Sequence, residues 1–138
     1  MNELPLLLDT HCWLWAQLGL MDNLSRQAIS AIRSAESSGR LLISVISVWE
    51  LGMLEKRRRV ALPRSIRPWV EEALAQPGLS LAPLTPEIAI ESVHLPGDLH
   101  GDPADRLIVA TARVIGATLL TKDRRLVEYS RHVRILPA

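Results

Sequence analysis

The sequence predicts an α/β fold with a parallel sheet, on three observations. Short apolar runs at Leu4–Leu8, Leu41–Val45 and Ala117–Thr121 lack the in–out alternation of a half-exposed strand. They read as strands buried on both faces. Helix-length segments separate them, several opened by a capping residue. Acidic residues then stand just beyond the strands, the edge on which open α/β sheets place their sites.

Taken in order, Leu4–Leu8 is the first strand and ends at Asp9. His11 to Leu20 is a short helix with Trp13, Trp15 and Leu18 for packing. Ser25 caps a helix through about Ser37, with Gly39 just past its end. Leu41–Val45 is the second strand, and a helix follows from about Ser47 to Lys56. Arg57–Pro63 is a basic loop. Another helix covers roughly Ile66–Ala75 and stops at Pro77-Gly78. Leu79–Ala82 is a third strand. Thr85-Pro86 opens a helix to about Leu95, the cap-then-proline start that suits a missing N–H.

Pro96–Gly101 is a loop. Asp102-Pro103 opens the next helix in the same way, and Gly116 closes it. Ala117–Thr121 is the fourth strand, Arg124–Tyr129 a turn of helix, and Val133–Leu136 a last strand. Strands alternating with helices require a sheet covered on both faces. Asp9-Thr10-His11 follows the first strand where a dinucleotide or nucleoside-triphosphate fold would carry a glycine-rich loop, so those readings fail.

Size and composition bound the function. A chain of 138 residues, 48% apolar, suits one domain over residues 1–138 with one packed interior. The longest apolar run, Leu41–Trp49, is too short to cross a bilayer. Glu3 and Asp9 flank the first apolar run with no basic segment before it, unlike a secretory signal, so a cytoplasmic protein is expected. Cys12 is the single cysteine; an internal disulfide and a cysteine-based zinc site are both excluded. The four histidines do not fall at zinc-ligand spacings.

The net charge of +1 excludes a generally basic nucleic-acid binder, but the cations are clustered. Lys56, Arg57, Arg58 and Arg59 form one run; Arg124, Arg125, Arg131 and Arg134 form a second group. Arginine's planar fork suits phosphate, and a solvated surface explains such runs equally well.

The acids carry the chemistry. Asp9 ends the first strand, Asp123 follows the fourth, Glu50 lies early in the helix after the second, and Asp102 and Asp105 lie in the first turn of the helix feeding the fourth. Helices in this architecture start on the edge where strands end, so all five belong on one edge. Carboxylates gathered there repel one another, and a hard divalent cation such as Mg²⁺ or Mn²⁺ relieves the conflict. Such a cation acidifies water and stabilises charge on a phosphate, the chemistry of phosphodiester hydrolysis.

Each acid taken singly also has a structural explanation. Ser47-Val48-Trp49-Glu50 matches a capping box. Asp102 is a natural cap before Pro103, Asp105 favours the helix dipole, and Asp123 suits the turn at Arg124. If Asp102 caps, Asp105 one turn along is the freer metal ligand.

These residues resemble the PIN-domain ribonucleases, specifically the VapC-type toxins of bacterial toxin–antitoxin pairs. The matching pieces are Leu6-Leu7-Leu8-Asp9-Thr10-His11, Ser44-Val45-Ile46-Ser47-Val48-Trp49-Glu50-Leu51, the stretch from His100-Gly101-Asp102-Pro103-Ala104-Asp105-Arg106 to Ala112, and Leu120-Thr121-Lys122-Asp123-Arg124. They span nearly the whole chain in order. Ala104 departs from the pattern, standing where an aromatic is common, and Gly52 follows Glu50-Leu51.

The resemblance implies a three-layer α/β/α sandwich with a five-stranded parallel sheet. It implies Mg²⁺ or Mn²⁺ held by Asp9, Glu50, Asp105 and Asp123, with Thr10, Asp102 and Thr121 in support. It implies hydrolysis of RNA by a metal-activated water, a homodimer, and inhibition by a cognate antitoxin in a groove by the site. Arg57, Arg58 and Arg59 are then candidates to guide the RNA backbone. Trp49 and Trp69 fit the core better than a base-stacking role. For Trp13, Trp15, Leu51 and Leu54, core packing competes with an antitoxin groove or dimer face. His100 lies near the acids and reads as a loop histidine without a role. Two other readings stand beside this one: a PIN-type RNA-processing nuclease without an antitoxin, and a receiver-like metal-binding signalling module. The second lacks the paired acids it needs after the first strand and a phosphoacceptor ending a central one.

Overall fold

A computed structural model describes residues 4–138. Five parallel strands form one sheet: β1 (Leu6–Leu8), β2 (Leu41–Ser44), β3 (Leu79–Ala82), β4 (Thr118–Thr121) and β5 (Ile135–Pro137). Their spatial order is β3-β2-β1-β4-β5. β1 is central, with Leu6 opposite both Leu41 and Thr118 and Leu8 opposite Ile43 and Leu120. The chain first builds outward through β2 and β3, then returns to the other side of β1 for β4 and β5. The direction of winding reverses between β1 and β4, and a crevice at the carboxyl ends of those two strands follows from the topology.

Among the described residues seven α-helices cover the sheet: α1 (Thr10–Leu18), α2 (Arg26–Ser37), α3 (Val45–Lys56), α4 (Ile66–Leu74), α5 (Pro86–Val93), α6 (Pro103–Ile115) and α7 (Arg124–Val127). The alternation of side chains along each strand divides the interior. Leu6, Leu8, Ile43 and Leu120 pack with Trp13, Ile32, Leu51 and Trp69 of α1–α4. Leu7 and Leu119 pack with Ile88, Ile108, Val109 and Leu126 of α5–α7. Central β1 is apolar throughout because both its faces are buried, whereas edge strand β3 exposes Ser80 and Leu81; the expected three-layer sandwich is what forms.

Pro137, which has no N–H to give a neighbour, sits on β5, an edge strand. Gly78 turns the chain from α4 into β3 at φ +87°; a Cβ there would lie 1.9 Å from the Glu36 carbonyl oxygen. No larger residue fits that approach.

The expected elements all appear, most with ends shifted by a residue or two. The shift at α3 matters. This helix begins at Val45, not Ser47, and its cap is Ser44, whose Oγ accepts from the Ile46 amide at 3.0 Å. The Ser47–Glu50 capping box therefore does not exist. Ser47 is inside the helix and fully buried, which frees Glu50 from any capping duty. The same phase turns Trp49 away from buried Ile46, Ser47 and Leu51, leaving it 58% exposed. Its assignment to the core was wrong; that of Trp69, tilted against Trp13 at 5.6 Å, was right. Trp13 and Leu51 are also core. No helix among the described residues is long and apolar enough to cross a membrane.

Candidate metal centre

Five acids line one cavity of about 380 Å³ at the β1/β4 crevice: Asp9, Glu50, Asp102, Asp105 and Asp123. Glu50 arrives on α3 and Asp105 on α6, while Asp9, Asp102 and Asp123 stand just before α1, α6 and α7. A larger depression of about 610 Å³, by Gly116 and Ala117 before β4, contains none of them.

Asp9 caps α1, its Oδ1 accepting from the Cys12 amide at 2.9 Å. Its other oxygen accepts from the Thr121 hydroxyl. Thr121, fully buried at the end of β4, also accepts from the Asp123 amide at 3.1 Å and so ties two acids together. Asp102 caps α6, accepting from the amides of Ala104 at 3.0 Å and Asp105 at 3.3 Å. Asp102 caps as expected, and both it and Asp105 line the cavity.

Thr10, buried in the first turn of α1, donates to Glu50 and lies 3.0 Å from Ser47 Oγ. Burial pushes the pKa of Glu50 up against the opposing bond from Thr10, and the charges of Asp105 and Asp102 add to the rise. Asp105 is raised by burial too, and by Asp102 and Asp123, against its bond to His100. Asp123 differs: burial acts upward, but hydrogen bonds and charge from Arg125 outweigh it and hold the carboxyl below its usual value.

Two contacts were not foreseen. His100 Nε2 lies 2.7 Å from Asp105 Oδ2, so this loop histidine has a definite neighbour among the acids. Arg125 folds back onto Asp123, with Nη2 3.1 Å from Oδ2 and Nε 3.3 Å from Oδ1. The short spacing after Asp123 is the signal, since a residue two beyond a helix cap can reach the capping carboxylate. Trp15, half-buried, and exposed Lys122 and His11 complete the wall. Arg57, Arg58 and Arg59 are exposed beyond the end of α3 and line no part of the cavity.

All five acids offer only oxygen, the donor that hard divalent cations prefer. Two of them are held above their ordinary pKa by burial and mutual repulsion, a strain that a bound cation relieves. Among the described residues no three acidic, histidine or cysteine side chains close into one ligand set. An open donor set of this kind suits a cation that keeps several of its waters and takes one or two carboxylates directly, as Mg²⁺ does. The residues therefore fit such a cation.

The PIN domain family model matches residues 6–132. The chain belongs to the PIN-domain family. It is 37% identical to Ribonuclease VapC22 of Mycobacterium tuberculosis over 128 residues, 93% of each chain. Among solved structures, DNA-bound VapBC from Salmonella typhimurium superposes with a TM-score of 0.69 at 21% identity, covering 97% of this chain and 98% of that one. VapBC2 from Rickettsia felis, bound to a DNA fragment from its promoter, gives 0.68 at 16% identity, covering 96% and 97%. These two share the PIN fold with this chain along nearly its whole length.

Proposed function

We propose that this PIN domain is an endoribonuclease acting as the toxin of a toxin–antitoxin pair. The observation that carries the reading is the shared cavity of five acids in a chain 37% identical to a ribonuclease. PIN-domain ribonucleases are metal-dependent in general, and Mg²⁺ or Mn²⁺ is the cation this oxygen-only donor set favours. When bound, the cation supplies an acidified water and offsets charge building on the phosphate.

The residues divide the rest. Asp9 and Asp105 are the principal ligands. Glu50 and Asp123 complete the shell directly or through water, and Glu50, half-buried and raised in pKa, is suited to accept the proton of the attacking water. Thr121 holds Asp9, Thr10 holds Glu50, and Asp102 fixes the start of α6 on which Asp105 rides. Arg57, Arg58 and Arg59 draw the RNA backbone from outside the cavity. The protein partner is a cognate antitoxin covering the crevice, and the toxin pairs with a second copy of itself. Assembly with an antitoxin is supported by the two VapBC relatives in fold.

The test is incubation of the protein with a panel of structured RNAs in Mg²⁺, Mn²⁺ or EDTA, beside Asp9→Asn. Cleavage that requires both the metal and Asp9 is expected. Full cleavage by the Asn variant removes Asp9 from the chemistry. No cleavage together with no Mn²⁺ uptake in calorimetry overturns the nuclease reading.

A further inference from the structure

The cavity holds five carboxylates and two exposed cations, Lys122 and Arg125, and these behave differently. Lys122 is turned aside. Its Nζ donates to the Asn23 carbonyl at 2.8 Å and lies 5.5 Å from the centre of the Trp15 ring. Arg125 goes the other way. Its guanidinium grips Asp123 through two nitrogens, and the same Nη2 lies 3.7 Å from Asp105 Oδ2. One planar cation thus bridges two acids that approach from different helices.

We propose that Arg125 is an exchangeable counter-ion of the acid cavity, competing with the divalent cation for Asp105 and Asp123 and thereby setting the metal affinity of the site. This inference rests on the reading of those acids as metal ligands. The guanidinium and the metal seek the same oxygens. A carboxylate forked by arginine offers its lone pairs to two N–H groups, and a metal must displace at least one of them. The Arg125 side chain is 59% exposed, so it swings into water at little cost, as an exchangeable group must. Exposure also bounds the effect, because ion pairs screened by water are weak. Removing the competitor should tighten binding about two- to fivefold, the range that a weak ion pair spans.

Arg124 provides an internal control. It is the adjacent residue with the same charge and is exposed, yet it makes no ion pair with the acids. Loss of either arginine changes the net charge equally, and only loss of Arg125 removes the contact.

The experiment is a Mn²⁺ titration by calorimetry, without RNA, of the wild-type protein, Arg125→Ala, Arg125→Lys and Arg124→Ala. Circular dichroism on each confirms the fold. The expected result is tighter Mn²⁺ binding in Arg125→Ala, an intermediate value in Arg125→Lys, which keeps the charge but loses the fork, and a wild-type value in Arg124→Ala. Equal tightening in both alanine variants would show a general field effect and overturn the proposal, as would unchanged affinity in Arg125→Ala. Absence of Mn²⁺ binding in every protein would instead overturn the metal-site reading itself.

Discussion

Arg58→Gly should make this protein more stable, although it removes a charged side chain and adds the most flexible residue. The end of α3 explains why. The Arg58 amide bonds the Glu55 carbonyl at 3.0 Å, and the Arg59 amide bonds the Leu54 carbonyl at 2.9 Å. This is the paired Schellman closure, and it requires a left-handed residue at the position Arg58 occupies. Arg58 has φ +58° and is the only described non-glycine residue with positive φ. The left-handed conformation costs an L-residue with a Cβ about 1–2 kcal/mol. Glycine escapes that cost but gives back about 0.5–1 kcal/mol through its freer unfolded chain. The exposed Arg58 side chain contributes no hydrogen bond or ion pair that the exchange would lose. The net gain is about 0.5–1 kcal/mol. With an unfolding entropy of about 2.1 cal/mol/K per residue, a chain of this length gains about 2–3 °C in Tm. Differential scanning calorimetry of wild type, Arg58→Gly and Arg58→Ala measures it. The alanine variant keeps the Cβ and should stay close to wild type. A glycine variant that melts at or below the wild-type temperature would refute the reasoning.

Other perturbations test the site. Substituting alanine for Arg57, Arg58 and Arg59 together should flatten the salt dependence of single-stranded RNA binding, lowering the log–log slope by about 2, since each neutralised phosphate contributes about 0.7; fluorescence anisotropy across a salt series reads it. Thr121→Val, nearly isosteric, leaves the Asp9 carboxylate and the Asp123 amide without their shared partner; urea denaturation should show a loss of about 1–3 kcal/mol, and cleavage should fall with it. Glu50→Gln should abolish cleavage yet raise the Tm of the metal-free protein at neutral pH. The sign follows from linkage. A carboxyl whose folded pKa lies above its unfolded value makes the folded state the better proton binder, so its destabilising effect is complete above the folded pKa and fades as pH falls toward the unfolded one. The same argument makes the advantage of Glu50→Gln over wild type shrink on acidification, which melting curves at stepped pH will register.

The sheet and its order of elements were legible because buried strands and capped helices have local signatures. Leu6–Leu8 and Leu41–Ser44 announce themselves as apolar runs, and Thr85-Pro86 and Asp102-Pro103 as helix starts. The gathering of the acids on one edge was also readable, since parallel topology alone puts strand ends and helix starts together. The phase of α3 was not. Ser44 and Ser47 are both plausible caps, and the choice depends on where β2 stops pairing with β3, a tertiary fact. That ambiguity lends Glu50 a capping duty it does not have, while Trp49 reads as core only because it stands at helical spacing among aliphatics. The His100–Asp105 contact was equally invisible, because the path of the Pro96–Gly101 loop is set by what it packs on. Arg106 anchors it by donating to the Leu99 carbonyl at 3.0 Å.

Three of the cavity acids, Asp9, Asp102 and Asp123, each commit one oxygen to the amides that begin a helix. The proposed chemistry and the architecture therefore rest on the same carboxylates, and the usual way of mapping an active site would give a distorted map here. Alanine at any of these positions deletes a cap along with a carboxylate, at a stability cost of about 0.5–2 kcal/mol. A variant so weakened loses activity by partial unfolding and imitates a catalytic defect. Asparagine caps as well as aspartate does, so the Asp→Asn series isolates the charge while the helix start stays intact. The pattern also limits how such a site changes over generations: an acid that begins a helix is released from catalysis only into another residue that can still begin it.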